Sequence, residues 1–353
     1  MSTLPGSAAA HEPTPIRSPT ILDLAALAGV SKTTVSRVLN GSPRVAPVTR
    51  ARVVAAVEEL GFQVNQAARS LRTSRTGLVG VMVPIISIFG VIVEELDRGL
   101  ADAGLSILMT SSRRRDPDRD LDAIEMLVRR GADALVLAPS DDRNERLASY
   151  LRSVRAPIVL LDRDVPGIRA DVIRVDHSVA VHDALVHLLA AGRRRIGLLT
   201  RDRKTRPGRE LLAAFERASV ALGRPTTREL VAEFDDLDRA AGRDGVDALV
   251  DAGADGIVST GTLEHTASVL ERLGERGYLV PRDLSLVVFG HLGAPLPHLA
   301  GLPTIAYPVE EVARLTQDLV LARLAGSTAK PRVKTVRTLF LARDVVGDTT
   351  PVA

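Results

Sequence analysis

The chain has 353 residues, 45% of them hydrophobic, and carries 46 Lys and Arg against 43 Asp and Glu for a net charge of +3; that is long and apolar enough to bury real cores. It has no cysteine, which excludes disulfides, thiol catalysis and Cys-ligated zinc or iron–sulfur sites, and only 3% aromatics with no Trp, which leaves few platforms for stacking single-stranded nucleic acid. The charge is uneven: 9 basic and 4 acidic residues run through Arg75, leaving 37 basic and 39 acidic for the rest. A basic N-terminal unit followed by a near-neutral body suits a protein that binds a polyanion with one end.

Residues 1–18 lack the basic-then-apolar order of a signal peptide and read as a disordered tail. Residues 19–61 read as three short helices. Thr20 caps the first, with Asp23 closing a capping box, and Leu24, Ala25, Leu27 and Ala28 form its apolar side. Gly29 ends it, Val30 plugs the core, and Ser31 caps a second helix whose Val35, Val38 and Leu39 face inward. That second helix keeps Lys32, Thr33, Thr34, Ser36 and Arg37 on its polar face, the shape and chemistry of a helix-turn-helix reading head. A third helix over 47–60 is expected to turn Val48, Ala51, Val54, Ala55, Val57 and Leu60 inward, leaving Arg50 and Arg52 to face phosphates. In 62–76, Asn65 caps a helix over 66–71 that is too short to be stable alone, so it should order only against DNA or a partner.

From Gly77 the texture changes to apolar runs alternating with helical stretches. The 18 uncharged residues 76–93 reach membrane-span length, but Pro84, Ser87 and Gly90 split them into a β-branched strand and a helix that soon carries Glu94, Glu95, Asp97 and Arg98. Further strands are expected at LSILMT, ADALVLA, PIVLLD, VIRVD, RIGLLT, GIVST and LSLVVFG, with helices over 89–103, 121–130, 145–152, 180–191, 209–222 and 264–276. This βα alternation predicts two parallel sheets covered on both faces, divided near 161–166. The helix 308–325 and strand 333–341 follow the second sheet, so the chain should recross between lobes.

Catalytic signatures are missing. There is no Gly-rich phosphate loop, HExxH or GxSxG, and none of the histidines pairs with a carboxylate cluster at metal-ligand spacing. Asp162, Arg163 and Asp164 look catalytic at first glance; a solvated or interlobe ion pair at a strand end is the plainer account. Arg193, Arg194 and Arg195 read as cations at a helix C-terminus. Neither an enzyme nor a cofactor or metal site is expected.

The order of parts resembles the lactose-repressor and purine-repressor (LacI/GalR) family of bacterial transcription regulators. The string AxxAGVSxxTVSRVLNG at 25–41 carries the likeness, supported by ARSLRT at 68–73, AGRRRIGLLT at 191–200, VPRDLSLVVF at 280–289, PTIAYP at 303–308 and LFLARD at 339–344. The resemblance implies an α/β two-lobed, periplasmic-binding-protein-like body with two parallel-sheet lobes, behind a three-helix helix-turn-helix head and a hinge helix. Its lobes would comprise 77–162 plus about 303–328, and 163–302 plus about 329–345, with a tail at 346–353. It places Lys32 and Thr33 at base edges, with Thr34, Ser36, Arg37 and Asn40 on phosphates and bases. Thr20, Ser31, Arg50, Asn65, Ala68, Arg69 and Leu71 complete the expected DNA-binding set, with Leu71 as the minor-groove wedge and Ala68 on the close-packed hinge face.

The chain departs from the family in the hinge and the body. Val64 precedes Asn65 where Pro is usual, so the hinge should start less ordered without DNA. Leu211 stands where an Arg four residues before an aromatic usually contacts ligand, Thr260 and Gly261 replace an Asn-Asp pair, and Gly290, followed by His291, replaces the Asp of a GFDD motif. A cleft so altered would reject the hydroxylated ligand it was built for. It would instead take a less polar molecule, use Arg163, Arg201, Arg203, Arg209, Thr260 and His291 differently, or have no effector. The resemblance implies a cytoplasmic homodimer on a roughly palindromic double-stranded DNA operator, usually repressing, with possible small-molecule control through the interlobe cleft. The ending VVGDTTPVA after Asp344 lacks the heptads that make some relatives tetrameric. The alternatives are a constitutive or architectural DNA-binding regulator with a degenerate effector site, and a ligand-binding module of the periplasmic type.

Overall fold

The computed structural model describes residues 19–39, 42, 44–62, 75–84, 87–111, 116–234, 239–261, 263–291 and 301–342. The chain divides into two units at Ser74/Arg75. In the first, α1 (Ile21–Ala28) opens on the expected capping box: Thr20 N donates to Asp23 Oδ2 at 2.7 Å, and Asp23 N to Thr20 Oγ1 at 3.4 Å. Gly29 closes it in the left-handed region at φ 60°, and Arg52 donates to the carbonyl oxygens of Ala28 (2.6 Å) and Gly29 (3.3 Å), so a cation covers the helix's negative end. α2 (Lys32–Leu39) is capped by Ser31, whose hydroxyl accepts from Thr34 N at 3.1 Å.

Leu24, Ala25, Ala28, Val35, Val38, Val53 and Ala56 form the core of this unit. The inward face of α3 (Pro47–Glu59) therefore differs from the expected one. Val53 and Ala56 are buried, Val57 and Leu60 pack partly against them, and Val48 is 73% exposed, with Ala51, Val54 and Ala55 also outside. Apolar residues occur all round this helix, so periodicity alone could not choose the side that α1 and α2 would cover.

The second unit holds two six-stranded sheets. The first contains β1 (Leu78–Met82), β2 (Ser106–Thr110), β3 (Ala134–Leu137), β4 (Ile158–Leu161) and β5 (Ala170–Asp176), with the late strand β11 (Val333–Arg337) paired parallel to β5. The order is β11-β5-β4-β3-β1-β2, parallel throughout. The second contains β6 (Ile196–Arg201), β7 (Val231–Phe234), β8 (Gly256–Ser259), β9 (Ser285–His291), β10 (Thr304–Tyr307) and β12 (Leu339–Leu341), in the order β12-β10-β9-β8-β6-β7 with only β12 antiparallel.

Helices cover both faces of each sheet, which is why the central strands β1, β3, β4, β6 and β8 are continuous buried runs, while β5 alternates and the edge strand β11 is largely exposed. On the first sheet, α4 (Ser87–Ala101) and the returning α11 (Val309–Leu324) bury Ile92, Leu96, Val312 and Val320 on one face, while α5 (Pro117–Arg129) and α6 (Glu145–Ser153) bury Ile124, Leu127, Leu147 and Leu151 on the other. On the second sheet the pairs are α7 (Ser178–Ala190) with α8 (Arg206–Ala221), and α9 (Arg239–Asp251) with α10 (Leu263–Glu275). Strand β7 and helix α9 were not anticipated. None of the described helices is long and apolar enough to cross a membrane.

Two expected boundaries move. Strand β5 belongs to the first sheet, so the lobes divide at Asp176/His177 rather than near 162. Strand β10 belongs to the second sheet, so the return crossing comes after Tyr307 rather than before 303. The single strand expected over 333–341 is two strands, one in each sheet, broken at Thr338. The Arg run also serves other elements than expected: Arg195 donates to Ala252 O (2.7 Å) just past α9, and Arg193 to Asp283 O (3.2 Å), rather than capping α7.

The returning β11 is anchored by a buried carboxylate. Asp171 accepts from Arg323 at 2.7 and 2.8 Å and from Arg332 N at 2.7 Å, while Arg323 also donates to the carbonyls of Ser327 and Ala329. Asp171→Ala leaves the half-buried Arg323 guanidinium with carbonyl partners alone; unfolding by urea should show a loss of about 1.5–3 kcal/mol.

Candidate nucleic-acid interface and interlobe cleft

In the first unit, the turn at Gly29 and the Ser31 cap hold α2 with Val35 and Val38 buried. The opposite edge then points outward: Ser31, Lys32, Thr33 and Arg37 are exposed, and Thr34 and Ser36 half-buried. The Thr34 hydroxyl lies 2.9 Å from that of Ser31, which fixes both side chains at the helix start. Such an edge carries one ammonium, one guanidinium and several hydroxyls on a rigid support, groups suited to phosphates and base edges. Thr20 is engaged in the α1 cap. Arg50 does not stand free as expected, because it donates to Ser42 O at 2.6 Å; Arg52 is likewise committed to the end of α1. Asn40, Asn65, Ala68, Arg69 and Leu71, and Val64 with them, lie outside the described residues.

In the second unit, the loops after the carboxyl ends of the strands meet between the lobes, where open α/β sheets place their functional groups. The first lobe contributes Asp142 after β3 and Asp162 and Asp164 after β4. The second contributes the segment 201–209, RDRKTRPGR, after β6. Asp142 is buried and accepts from Asp164 N (3.1 Å) in its own lobe, and from Arg206 N and the Arg209 guanidinium (both 2.8 Å) in the other. Arg206, also buried, donates to Asp162 and to Val175 O at 3.2 Å. Asp162 lies at φ 51°, which turns its carboxylate back under β5 to accept from Val175 N at 3.0 Å. Burial pushes the Asp162 carboxyl upward; Arg206, the Val175 amide and Arg163 pull against it. The interlobe ion pair expected of Asp162 is thus present, with Arg206 as its partner.

The other expected cleft residues separate. Arg163 is buried, donating to the carbonyls of Pro139 (2.5 Å) and Asp162 (2.9 Å), so it braces the first lobe's loops. Arg203 is exposed and pairs with Glu233 of its own lobe at 2.9 Å, whereas Arg201 is half-buried at the end of β6. Thr260 is buried against Thr200, their hydroxyls 3.4 Å apart. His291 is described only as backbone, paired with Tyr307.

Two further positions expected at the cleft, Leu211 and Gly261, are packed against the fold. Leu211 lies in the core with Phe215. At Gly261 the space of a side chain is taken by His265, whose ring stacks on Phe234 with centroids 3.8 Å apart; a Cβ at residue 261 would overlap that ring. Arg206, Asp142 and the His265–Phe234 stack were missed from the sequence. For Asp142 the signal was present, an acid in the loop that follows a strand's carboxyl end, five residues beyond it; for His265 there was none, because its partner comes from another element.

The three crossings converge on His177, which is buried. Its Nδ1 lies 3.4 Å from the Thr338 hydroxyl, and its ring is 5.6 Å from that of Phe289 and 6.4 Å from that of Tyr307. Burial, with Arg206 and Arg201 nearby and against the pull of Asp176, pushes the imidazole down to about 3. Burial also pushes the Tyr307 phenol upward.

The sequence matches the profile "Bacterial regulatory proteins, lacI family" over residues 20–65, and "Periplasmic binding protein-like domain" over 185–344. It is 29% identical over 327 residues to the HTH-type transcriptional regulator GalR of Salmonella typhimurium, covering 92% of this chain and 94% of that one. It is 26% identical over 307 residues to catabolite control protein A of Priestia megaterium, covering 85% and 91%. Among solved structures, the transcriptional regulator CelR–cellobiose complex superposes with a TM-score of 0.67 at 25% identity, over 92% of this chain and 99% of that one. The lac repressor dimer bound to operator and the anti-inducer ONPF superposes with a TM-score of 0.79 at 20% identity, over 93% and 99%, a likeness of fold.

Two measurements follow. Gly261→Ala should lower the unfolding free energy through overpacking by about 1–3 kcal/mol, read from urea unfolding, and combining it with His265→Ala should cost less than the sum of the two, showing that they share one space. Between pH 6.5 and about 3 the unfolded chain binds a proton at His177 that the folded chain does not, so this residue's contribution to stability is full above 6.5 and falls as the pH drops. His177→Phe should remove up to ~1.4 kcal/mol per pH unit from that acid slope, read from unfolding curves between pH 4 and 7.

Proposed function

We propose, given that this chain belongs to the LacI/GalR family of bacterial helix-turn-helix regulators, that it is a cytoplasmic repressor that binds a two-fold symmetric operator as a dimer. It is a DNA-binding transcriptional regulator and not an enzyme, as its relatives are. One observation supports the reading most: α2 is capped at its start and buried on one side, and presents Lys32, Thr33 and Arg37 outward on the other. Lys32 and Thr33 read base edges, Arg37 with Thr34 and Ser36 sets the helix on the backbone, and Asn40 extends the contact. Asn65, Ala68, Arg69 and Leu71 complete the set of DNA-contacting residues, with Leu71 as the minor-groove wedge. The lac repressor dimer on its operator supports the dimeric arrangement.

A relative forms a complex with cellobiose. In this chain, an effector entering between the lobes must first displace the Arg206 and Arg209 pairs. That requirement favours the second reading, a regulator whose DNA binding needs no small molecule. Thermal shift of the full chain against a panel of metabolites separates the two, since a specific ligand raises apparent stability by mass action.

Selection of bound duplexes from random DNA should enrich a symmetric site with a flexible central step. On that site, Lys32→Ala and Thr33→Ala should change the preferred bases and cost about 1–3 kcal/mol of discrimination. Arg37→Ala should weaken binding to all sequences and reduce the salt slope by about one. Binding without sequence preference, or selectivity unchanged by Lys32→Ala and Thr33→Ala, would refute the reading.

A further inference from the structure

We propose that the chain's own charges latch the two lobes of the body together, so that the body reaches its closed conformation with no small molecule bound. The inference concerns how the DNA-binding reading above is regulated, and it stands on groups outside the head.

The facing loops are of opposite charge. The first lobe presents Asp141, Asp142, Asp162 and Asp164 beside Arg143 and Arg163; the second presents Arg201, Arg203, Lys204, Arg206 and Arg209 beside the single acid Asp202 within nine residues. Two of these cations cross the gap. Arg209 reaches Asp142 at 2.8 Å and Arg206 reaches Asp162, with Asp164 3.7 Å from the same guanidinium. Backbone closes the gap as well: Arg206 N donates to Asp142, and Asp142 N to Lys204 O at 3.4 Å.

These contacts occupy the hydrogen-bonding groups that a ligand between the lobes must use. The Asp142 carboxylate is satisfied from both lobes at once, and Arg206 is only 8% exposed. In that low-dielectric setting the attraction between unlike charges is stronger than at a surface, and parting the lobes by a few ångströms would break the pairs before water could fully replace them. A two-lobed body usually needs a guest whose polar groups join both sides. Here Arg206 and Arg209 from one side, with Asp142 and Asp162 from the other, make that join. A molecule that enters must exchange for these pairs, so it drives the lobes apart where it competes for the same charges.

The absence of native cysteine allows a direct test. Lys204, whose carbonyl meets Asp142 N across the gap, is exposed, and so is Arg143, the residue after Asp142. In the full-length R143C/K204C chain, free of DNA and added metabolites, mild oxidation should trap an interlobe disulfide. The trapping rate should be at least ten-fold lower when Arg206→Ala and Arg209→Ala are added. Asp142→Asn preserves shape and serves as the milder variant if the double change unfolds the body; it should slow trapping several-fold, with circular dichroism confirming the fold. Failure to trap without the latch substitutions, or equal rates with Asp142→Asn in a folded chain, overturns the proposal. Because the readout needs no DNA, its failure leaves the operator reading intact, and a failed operator selection leaves the latch intact.

Discussion

Three crossings of the chain between two sheets constrain everything else in the body. Each sheet takes a strand from a distant part of the sequence, β11 in the first and β12 in the second, so neither lobe is complete until the chain has returned to it. The crossings at Asp176/His177, after Tyr307 and at Thr338 lie together around one buried imidazole. A body joined in this way can hinge, but it cannot come apart into independent domains. The same connectivity turns the carboxyl ends of the strands toward one another, which is why Asp142 and Asp162 meet Arg206 and Arg209.

The head works by a different economy of interactions. It buries few large side chains, Leu24, Val35, Val38 and Val53 among them, so its geometry depends on terminal devices: the Thr20–Asp23 box, the left-handed Gly29, the Ser31 cap and Arg52 over the end of α1. Each contributes on the order of a kcal/mol, and together they orient one short helix. Arg52 shows how a basic residue in a DNA-binding unit can serve the fold rather than the ligand.

In the cleft, side chains of the two lobes fill space and pair charges with one another. Leu211 joins a core, His265 fills the space beside Gly261, and Arg206 closes the gap by pairing with Asp162. A guest can be replaced by side chains only if every buried charge finds a partner, because an unpaired one costs several kcal/mol. Asp142 and Asp162 meet that condition through bonds from both lobes.

Features that depend on neighbours along the chain were legible before any fold was known. Helix caps act over three or four residues, so Thr20, Gly29 and Ser31 were legible, as was the exposed edge of α2 once its apolar side was counted. Buried parallel strands announce themselves as apolar runs, so two sheets were legible too. What only the tertiary structure decided depends on partners far apart in sequence. The lobe boundary fell after β5 rather than before it because strand pairing, and no local signal, assigns a strand to a sheet. The buried side of α3 was chosen by α1 and α2, since apolar residues surround that helix. Arg206 acquired its role from Asp162, 44 residues away, and His265 on helix α10 from Phe234 on strand β7. Local preference fixes elements over a few residues, whereas the balance between burying a charge and pairing it can be settled only when the chain has closed on itself.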